Sequence, residues 1–260
     1  MIREHVDGIV LYRFEGLGEA EGVVHAVLTR IGGVSRPPYA TLNLCHSDGE
    51  DPAAVEENLR RAARALGLEP GQFVRPYQVH GARVGVVGRA DLGTVYPDTD
   101  ALVTAAPAVP LLMCFGDCAP VLLFDPVRRA IGMAHAGWRG VVAGAVTATV
   151  RAMTEQLGCA PADLWAGIGP MIGPCCYAVG PEVVTAVEVA CPPGAAVVRV
   201  VDGRVHLDLP AAVQAQLRAA GVGQVEDAGL CTACHVDEFF SHRAEHGRTG
   251  RFGVVMGLVE

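Results

Sequence analysis

The sequence predicts an α+β fold in which packed mixed β-sheets are flanked by helices, formed as a single domain by residues 1–260. Hydrophobic residues make up 51% of the chain and charged residues 18%, which provides a sizeable core and excludes disorder and coiled coil. The 32 glycines and 17 prolines indicate many tight turns, and therefore many short strands. The predicted strands occur in groups and do not alternate strictly with helices, which favours α+β over α/β.

Two strands and one helix are predicted in the first third of the chain. Ile9–Phe14 and Val23–Thr29 are short apolar runs, which are typical of strands. A helix begins at Asp51-Pro52, because proline is well tolerated in a first turn and the following apolar residues keep helical spacing until Gly67.

The rest of the chain is richer in strands. Apolar runs bounded by turn residues predict strands at Phe73–His80, Ala82–Val87, Ala101–Thr104, Pro110–Phe115, Val121–Phe124, Ala130–Ala134, Leu164–Ile168, Val197–Val201, Val205–Leu207 and Phe252–Leu258. Helices are predicted at Val141–Leu157, Pro181–Ala190 and Leu209–Ala220.

The charged residues exclude several classes of function. All 20 residues counted as lysine or arginine are arginine, so the chain contains no lysine. This excludes Schiff-base catalysis, a lysine-bound pyridoxal phosphate and a Walker A phosphate loop. The net charge of −8 argues against a general nucleic-acid binder, because a phosphate backbone would be repelled.

The N-terminus and the cysteines indicate the compartment. No apolar run reaches the ~18–20 residues that a membrane helix needs. The opening MIREHVDGIV carries two acids and one base before any apolar stretch, unlike a secretory signal. The nine cysteines are an odd number without an export signal, which argues against a disulfide framework. We therefore expect a soluble cytoplasmic protein that binds no membrane.

Three metal-ligating side chains lie where a predicted strand meets a glycine-containing turn: His80, Cys118 and His135. Two imidazoles and a thiolate suit zinc and leave the fourth tetrahedral position open. Each residue taken alone is equally consistent with a satisfied core side chain, and the spacing is too wide for a local metal motif. The same residues allow a rival site, in which Cys118 is a nucleophile and His135 its base.

Two further cysteine patterns are not expected to form a cofactor or metal site. Cys231-Thr232-Ala233-Cys234-His235 matches the attachment pattern of c-type haem, but nothing in the sequence directs export, where that chemistry occurs. A second C-x-x-C pair is missing, so we expect neither haem nor metal there. The adjacent Cys175 and Cys176 are expected to form a packed turn.

Arginines are the candidate anion ligands. Arg30 and Arg36 flank Gly32-Gly33, and a glycine-rich turn beside arginine can bind an anion. Arg243 belongs to a second arginine cluster, with Arg248 and Arg251. Without lysine, the fork of an arginine is the permanently charged partner available to an anion. Asn43, a polar residue in an apolar setting, is a candidate site residue or a turn-stabilising side chain.

These segments carry a resemblance to a known family. The chain contains TRIGGVS, TLNL, DPAAVEEN, QVHG, DALVT, GDCAPVLLFD, AHAGWRG, GIGPMIGPCCYAVG, LDLPAAVQAQLRAAGV, FFSHR and TGRFG, which span about Thr29 to Leu258. It resembles the bacterial laccase-domain family, also called the multicopper polyphenol oxidase family, now understood as purine nucleoside phosphorylases. AHAGWRG and GIGP…GPCCY are the most specific of these stretches.

The resemblance implies a zinc site at His80, Cys118 and His135. It implies phosphorolysis of adenosine, inosine and methylthioadenosine to a base and ribose 1-phosphate, with adenosine deamination as a further activity. The implied fold is distantly like that of deamidating bacterial toxins that use a Cys–His pair. Purine nucleosides and phosphate are therefore the expected partners, and Arg30, beside the Gly32-Gly33 turn, and Arg243, in the FFSHR segment, are the first choices to bind the phosphate.

The chain departs from the family pattern near the expected substrate site. Cys45–Glu50 replaces a run that usually contains glycine and His-Val-Gly-Asp, His242 stands where tyrosine is common, and Ala244–Gly247 differs from the usual Arg-Asp run. These differences bear on substrate preference more than on the metal site.

Other functions remain alternatives. The nine histidines include no H-x-H pair and no H-C-H run, which disfavours a four-copper polyphenol oxidase, although copper could still occupy the three-ligand site. A Cys/His or zinc amidohydrolase that edits cell-wall precursors, and a metal-binding partner protein without catalytic activity, are the other candidates.

Overall fold

Two large β-sheets pack against each other, and helices cover both outer faces. A computed structural model describes residues 1–18, 22–46 and 49–259. The strands are β1 (Ile2–Val6), β2 (Ile9–Arg13), β3 (Val23–Leu28), β4 (Arg75–Pro76), β5 (Val84–Val86), β6 (Val95–Tyr96), β7 (Ala101–Thr104), β8 (Leu111–Phe115), β9 (Ala119–Asp125), β10 (Ala130–Ala136), β11 (Trp165–Ile168), β12 (Val198–Val201), β13 (Arg204–Leu207), β14 (Gln224–Asp227) and β15 (Phe252–Leu258). The helices are α1 (Glu15–Gly18), α2 (Pro52–Ala65), α3 (Trp138–Ala143), α4 (Ala145–Leu157), α5 (Pro181–Ala190) and α6 (Leu209–Ala219), with short 3-10 turns at Arg89–Asp91 and Pro161–Asp163.

The two sheets differ in strand direction. The first has the order β1-β2-β3-β15-β8 and is antiparallel throughout. The second has the order β14-β11-β9-β10-β7-β5, and its two outer pairs, β14 with β11 and β5 with β7, are parallel. Two-stranded sheets join β12 to β13 and β4 to β6. The mixed α+β architecture predicted from the sequence is therefore confirmed.

The strands of the sandwich are apolar on both faces because each sheet lies between two layers. In β8, Met113 and Phe115 face the second sheet, whereas Leu112 packs towards α2 on the other side. In β9, Leu122 faces the first sheet and Leu123 packs towards the helices α4 and α6. Alternate residues of a strand point to opposite faces, so this arrangement requires continuous apolar runs, which is the pattern the sequence shows.

The helix predicted to begin at Asp51-Pro52 is confirmed as α2, and the residues that predicted its start cap it in the structure. Asp51 caps α2 by accepting a hydrogen bond from the N–H of Ala53 at 2.9 Å, and Pro52 occupies the first turn. The buried face of α2 includes Val55, Leu59 and Ala62, which pack on the first sheet.

Two predicted elements differ from the structure. The helix predicted over Val141–Leu157 is two helices, α3 and α4, separated at Gly144, whose φ of +77° lies in the left-handed region that glycine tolerates. The strand predicted over Phe73–His80 reduces to Arg75–Pro76, because the following residues leave the sheet and reach the site described below. The sequence pattern also missed β1 and β14, which are partly exposed edge strands with several charged residues.

No helix in the described ranges is long and apolar enough to span a membrane.

The interface between the two sheets should carry a large part of the stability. Leu122 is fully buried there, so Leu122→Ala should lower the free energy of unfolding by about 2–5 kcal/mol. Val127→Ala is the control, because Val127 is 70% exposed and a surface change of this kind costs less than about 0.5 kcal/mol. Urea unfolding of both variants measures the difference; equal, small effects would contradict the sandwich.

Candidate functional site

His80, Cys118 and His135 come together at one end of the sandwich. Cys118 lies where the chain crosses from β8 in one sheet to β9 in the other, His135 lies near the end of β10, and His80 lies in the loop between β4 and β5. Their potential ligand atoms all lie within 4.8 Å of one another, and the centroids of the two imidazole rings are 4.9 Å apart. This donor set, two imidazoles and one thiol, fits a tetrahedral cation with one open position.

A buried carboxylate holds two of these ligands in place. Asp100 is fully buried, and its Oδ1 lies 2.8 Å from Nδ1 of His135. The same carboxylate accepts hydrogen bonds from the N–H groups of Val79, His80 and Gly81 at 3.1, 2.9 and 2.7 Å. Since Nδ1 of His135 is engaged by Asp100, its Nε2 is the atom available to a metal, an arrangement common in zinc sites.

The electrostatics of the site favour a thiolate beside an imidazolium in the metal-free protein. Burial opposes ionisation of Cys118, but the charge of His135 and hydrogen bonds from His135 and His80 lower its pKa to about 6. Burial likewise opposes a charge on His135, but the Cys118 thiolate and the bond to Asp100 raise its pKa to about 9. A cation would replace the imidazolium proton as the partner of the thiolate.

Close packing around the ligands leaves no room for a side chain at Gly137. A Cβ atom there would lie 2.6 Å from Sγ of Cys118 and 3.6 Å from Cδ2 of His80. Two site residues also have left-handed backbones, His80 with a φ of 62° and Asp117 with a φ of 92°. Such conformations cost energy and occur where the surrounding structure enforces them, often at functional sites.

The three ligands lie in a cleft of about 660 Å³, which is within the size range of ligand sites. The arginines that line it are Arg75, Arg139, Arg243 and Arg251. The rings that line it include Tyr77, Trp138, Tyr177 and His242. Asp117 is the only acidic residue among the described residues that line the cleft. A negatively charged ligand is therefore favoured.

The guanidinium groups of these arginines differ in how many contacts they make with other residues of the protein. Nε of Arg75 is buried and has no hydrogen-bond partner among the described residues. Arg139 stacks on the ring of Trp138, with 4.4 Å between its guanidinium carbon and the ring centroid. Arg243 donates to the carbonyl of Ala178 at 2.8 Å and lies 5.1 Å from the centroid of Tyr177. Arg75 and Arg139 are therefore the least committed cations of the cleft.

Arg251, the fourth, donates to the carbonyls of Thr249 and Gly250 at 3.1 and 2.8 Å.

Arg30 and Asn43 do not line the cleft. The Arg30 guanidinium binds the carbonyls of Ala40 and Val236, pairs with Glu245 at 3.0 Å and lies over the ring of Phe240. These contacts occupy the side chain in joining segments of the fold, so the structure does not support the prediction that Arg30 binds phosphate.

Asn43 is fully buried and acts on the backbone. Its Oδ1 accepts the N–H of Arg251 at 2.8 Å, and its Nδ2 donates to the carbonyl of Cys45 at 2.9 Å and to Glu50 at 3.0 Å. Of the two interpretations of Asn43, these contacts favour the turn-stabilising one.

Comparison with known proteins places the chain in a family. The family model for the multi-copper polyphenol oxidoreductase laccase matches residues 24–259. The chain belongs to this laccase family. A protein of Geobacillus stearothermophilus named purine nucleoside phosphorylase YlmD is 37% identical over 250 residues, with 92% of this chain and 91% of the relative covered. A purine nucleoside phosphorylase of Deinococcus radiodurans is 43% identical over 236 residues, covering 91% and 89% of the two chains.

Solved structures show the same fold. The crystal structure of YlmD from Geobacillus stearothermophilus superposes with a TM-score of 0.92 at 35% identity and covers 99% of this chain and 98% of that one. The crystal structure of the hypothetical protein YfiH from Bacillus licheniformis gives a TM-score of 0.90 at 33% identity, with 96% of each chain covered. The distant likeness to deamidating toxins stays a prediction.

The differences from the laccase family pattern lie partly in the cleft. His242 lines it, with Nδ1 3.5 Å from a guanidinium nitrogen of Arg251. Cys45 and His46 line it as well, whereas Ser47 and Asp48 of the same segment lie outside the described residues. The Cys45 thiol has its pKa lowered to about 7, first by a hydrogen bond with Cys114 and also by Arg251.

Sequence reasoning missed several residues of the site. Asp100 and Asp117 precede β7 and β9, and their positions beside apolar strands are the same signal that indicated His80, Cys118 and His135. Arg139 follows the specific Gly-Trp pair, but nothing in its local pattern separates it from a surface arginine.

The structure brings the two remaining cysteine patterns together. A second C-x-x-C pair is absent, but the adjacent Cys175 and Cys176 lie against Cys231 and Cys234, with all four sulfur atoms within 4.8 Å of one another. The four cysteines could therefore hold a metal ion together, which the sequence pattern did not indicate.

The Asp100 carboxylate should determine metal affinity without contacting the metal. Asp100→Asn removes the charge that orients His135, and we expect zinc affinity to fall about 10- to 100-fold, the effect typical of such partners. Asp125→Asn is the matched control, because Asp125 is equally buried and accepts N–H groups of Val127 and Arg128 in a distant turn. Chelator competition measures the affinities; a similar loss in both variants would contradict the assignment.

Metal binding at this site should weaken as the pH falls. Between about pH 6 and pH 9, Cys118 is already a thiolate but His135 carries a proton, which must leave before Nε2 can bind a cation. Affinity should therefore decrease about tenfold per pH unit on going down through this window, and more steeply below it, where the thiolate is protonated as well.

The pH series should be recorded in a Cys231→Ser, Cys234→Ser background. These changes remove the separate group of four cysteines as a competing metal site, so the measured affinity belongs to His80, Cys118 and His135. Cys118→Ala, studied without metal by NMR titration of the imidazole, is the control: without the thiolate the pKa of His135 should fall, although the bond to Asp100 still raises it. An affinity that stays constant from pH 6 to pH 9 would exclude the ion pair.

Proposed function

We propose that the protein is a zinc-dependent purine nucleoside phosphorylase that cleaves adenosine, inosine and methylthioadenosine with phosphate. The observation that supports this most is the combination, in one cleft, of a three-ligand metal centre with four arginines. The names of the relatives from Geobacillus stearothermophilus and Deinococcus radiodurans support the same reaction.

The cleft suits a nucleoside. Its volume of about 660 Å³ leaves room for a purine, a ribose and a phosphate together, and aromatic rings supply faces on which a base can stack. Tyr177 is held by the guanidinium of Arg243, and Trp138 by that of Arg139, so two rings of the cleft are already in defined positions.

Phosphate binding is assigned to the arginines of the cleft. The incoming phosphate carries up to two negative charges, and a planar guanidinium can bind two of its oxygens. Arg75, whose Nε has no hydrogen-bond partner among the described residues, and Arg139, which stacks on Trp138, are the first choices, and Arg243 adds a third cation. Among the described residues, the carboxylate of Asp117 forms no ion pair with these arginines; it accepts hydrogen bonds from Thr232, Ser241 and the N–H of Arg243.

The chemistry then follows from where the charges lie. Cleavage of the glycosidic bond passes through a cation-like ribose while negative charge grows on the departing base. A zinc ion bound by His80, Cys118 and His135 would supply Lewis acidity at this end of the cleft, and copper, which binds similar ligands, is the alternative metal. The arginines hold phosphate near the ribose, the rings orient the base, and Asp100 keeps His135 in position.

Deamination of adenosine to inosine is proposed as a side activity of the same centre. A Cys/His hydrolase is the second candidate, since the thiolate of Cys118 beside protonated His135 is also the arrangement of an activated nucleophile. The two candidates differ in their need for phosphate, because a hydrolase would cleave without it. Polyphenol oxidation is disfavoured, because a three-ligand site does not provide a four-copper centre.

The reaction is tested by product analysis with and without phosphate. We expect purified zinc-loaded protein to release hypoxanthine and ribose 1-phosphate from inosine only when phosphate is present. Alanine at His80, Cys118 or His135 should abolish this activity while circular dichroism shows a folded protein. Equal cleavage of inosine without phosphate would identify a hydrolase and overturn the proposal.

The phosphate site is tested by neutralising single arginines. Arg75→Gln and Arg139→Gln should each raise the KM for phosphate by about tenfold or more, because each removes a charge-assisted contact worth about 1.5–3 kcal/mol. Zinc content should stay normal. Arg199→Gln is the control, since Arg199 pairs with Asp208 away from the cleft. Unchanged phosphate dependence in both variants would place the phosphate elsewhere.

A further inference from the structure

Four cysteines from two distant segments form a cluster outside the cleft. Sγ of Cys234 lies 3.6 Å from Sγ of Cys175 and 3.5 Å from Sγ of Cys176, and Cys231 completes the group within 4.8 Å. All four are free thiols. Cys175 and Cys234 are exposed, so an ion can reach the cluster from solvent.

We propose that these four cysteines bind a second zinc ion, in a closed tetrahedral site that is structural and not catalytic. Zinc–sulfur bonds of about 2.3 Å in a tetrahedron place the sulfur atoms about 3.8 Å apart, close to the spacing already present. Thiolates are soft ligands, and a set of four selects zinc among the common divalent metals of structural sites.

The distances between the sulfur atoms favour a cation at their centre over two disulfide bonds. Cys234 contacts both Cys175 and Cys176 at nearly the same distance, so no single partner is singled out. A cation bound at the centre engages all four sulfurs at once, whereas disulfides would pair them two by two and leave each pair independent of the other.

The backbone around the cluster is shaped to accept it. The N–H of Gly173 donates to Sγ of Cys231 at 3.2 Å, the kind of contact that stabilises a metal-bound thiolate. A Cβ atom at Gly173 would lie 3.3 Å from Sγ of Cys175 and 3.3 Å from Cβ of Cys231, so glycine leaves the space that the sulfurs use. A turn in which the N–H of Cys234 bonds the carbonyl of Cys231 at 3.1 Å brings these two sulfurs together.

This site would hold one wall of the cleft. Tyr177 follows Cys176 directly and lines the cleft. Thr232 lies between Cys231 and Cys234 and donates its hydroxyl to Asp117 at 2.6 Å, next to the ligand Cys118. Ligation of the four cysteines therefore fixes the segments that carry Tyr177 and support Asp117, without any of the four entering the cleft.

Metal counting on the full chain tests the proposal. We expect about two zinc ions per chain in the unmodified protein, one at each cluster. Cys231→Ser with Cys234→Ser should leave about one, and His80→Ala with Cys118→Ala should also leave about one, lost from the other site. Cys191→Ala is the matched control, because Cys191 is a buried free cysteine elsewhere, and it should keep the full zinc content.

Cobalt substitution identifies the ligands independently of activity. Cobalt-loaded His80→Ala, Cys118→Ala protein should show the intense sulfur-to-metal charge-transfer bands and visible bands of a tetrahedral four-thiolate site, and Cys175→Ser should remove them. In unmodified zinc-loaded protein, the exposed Cys175 and Cys234 should resist alkylation until a chelator is added.

Three results would overturn the proposal. The first is zinc that is bound only at the His80 centre. The second is rapid alkylation of Cys175 and Cys234 in the zinc-loaded protein, and the third is mass-spectrometric detection of disulfides among the four cysteines in protein purified without exposure to air. Because the alkylation and mass measurements use the unmodified chain, they decide the question even if a serine variant fails to fold.

Discussion

The arrangement of His80, Cys118 and His135 depends on the satisfaction of one buried charge. The carboxylate of Asp100 is fully removed from solvent, and an unpaired carboxylate in that position would destabilise the fold by several kcal/mol. The N–H groups of Val79, His80 and Gly81 and the ring of His135 satisfy it together. These bonds force the loop that carries His80 to fold against the end of β10. The protein itself therefore holds the two imidazoles in an arrangement that could bind a metal ion.

Much of the fold could be predicted because the two sheets are buried on both faces. Strands such as Leu111–Phe115 and Ala130–Ala136 are recognisable as short apolar runs, since each of their residues faces one core or another. Edge strands such as Gln224–Asp227 carry no such run and escaped prediction. Polar residues that end apolar strands indicated His80, Cys118 and His135, whose convergence the structure shows.

The arginines could not be assigned from the sequence for a physical reason. An arginine beside a glycine-rich turn has the same local pattern whether its guanidinium faces a ligand or a backbone carbonyl. Arg30 faces carbonyls and Glu245, whereas Arg75, within a predicted strand, lines the cleft, and its buried Nε has no hydrogen-bond partner among the described residues. Likewise the net charge of −8 describes the whole chain and not the cleft, where arginines outnumber acids among the described lining residues. Only long-range packing decides these roles.

Asp117 connects the cleft to the cysteine cluster. Its backbone is left-handed, with a φ of 92°, and its carboxylate binds Thr232, Ser241 and the N–H of Arg243. The next residue is Cys118, so the position of its thiol depends on the two segments, one with Thr232 and one with Ser241 and Arg243, that meet at this carboxylate. Thr232 lies inside the C-x-x-C turn, and a metal bound there would restrain the hydrogen bond to Asp117 from the outside. Both thiol-containing clusters would then stabilise the same wall, so a cluster that does not line the cleft can still affect the geometry of the cleft.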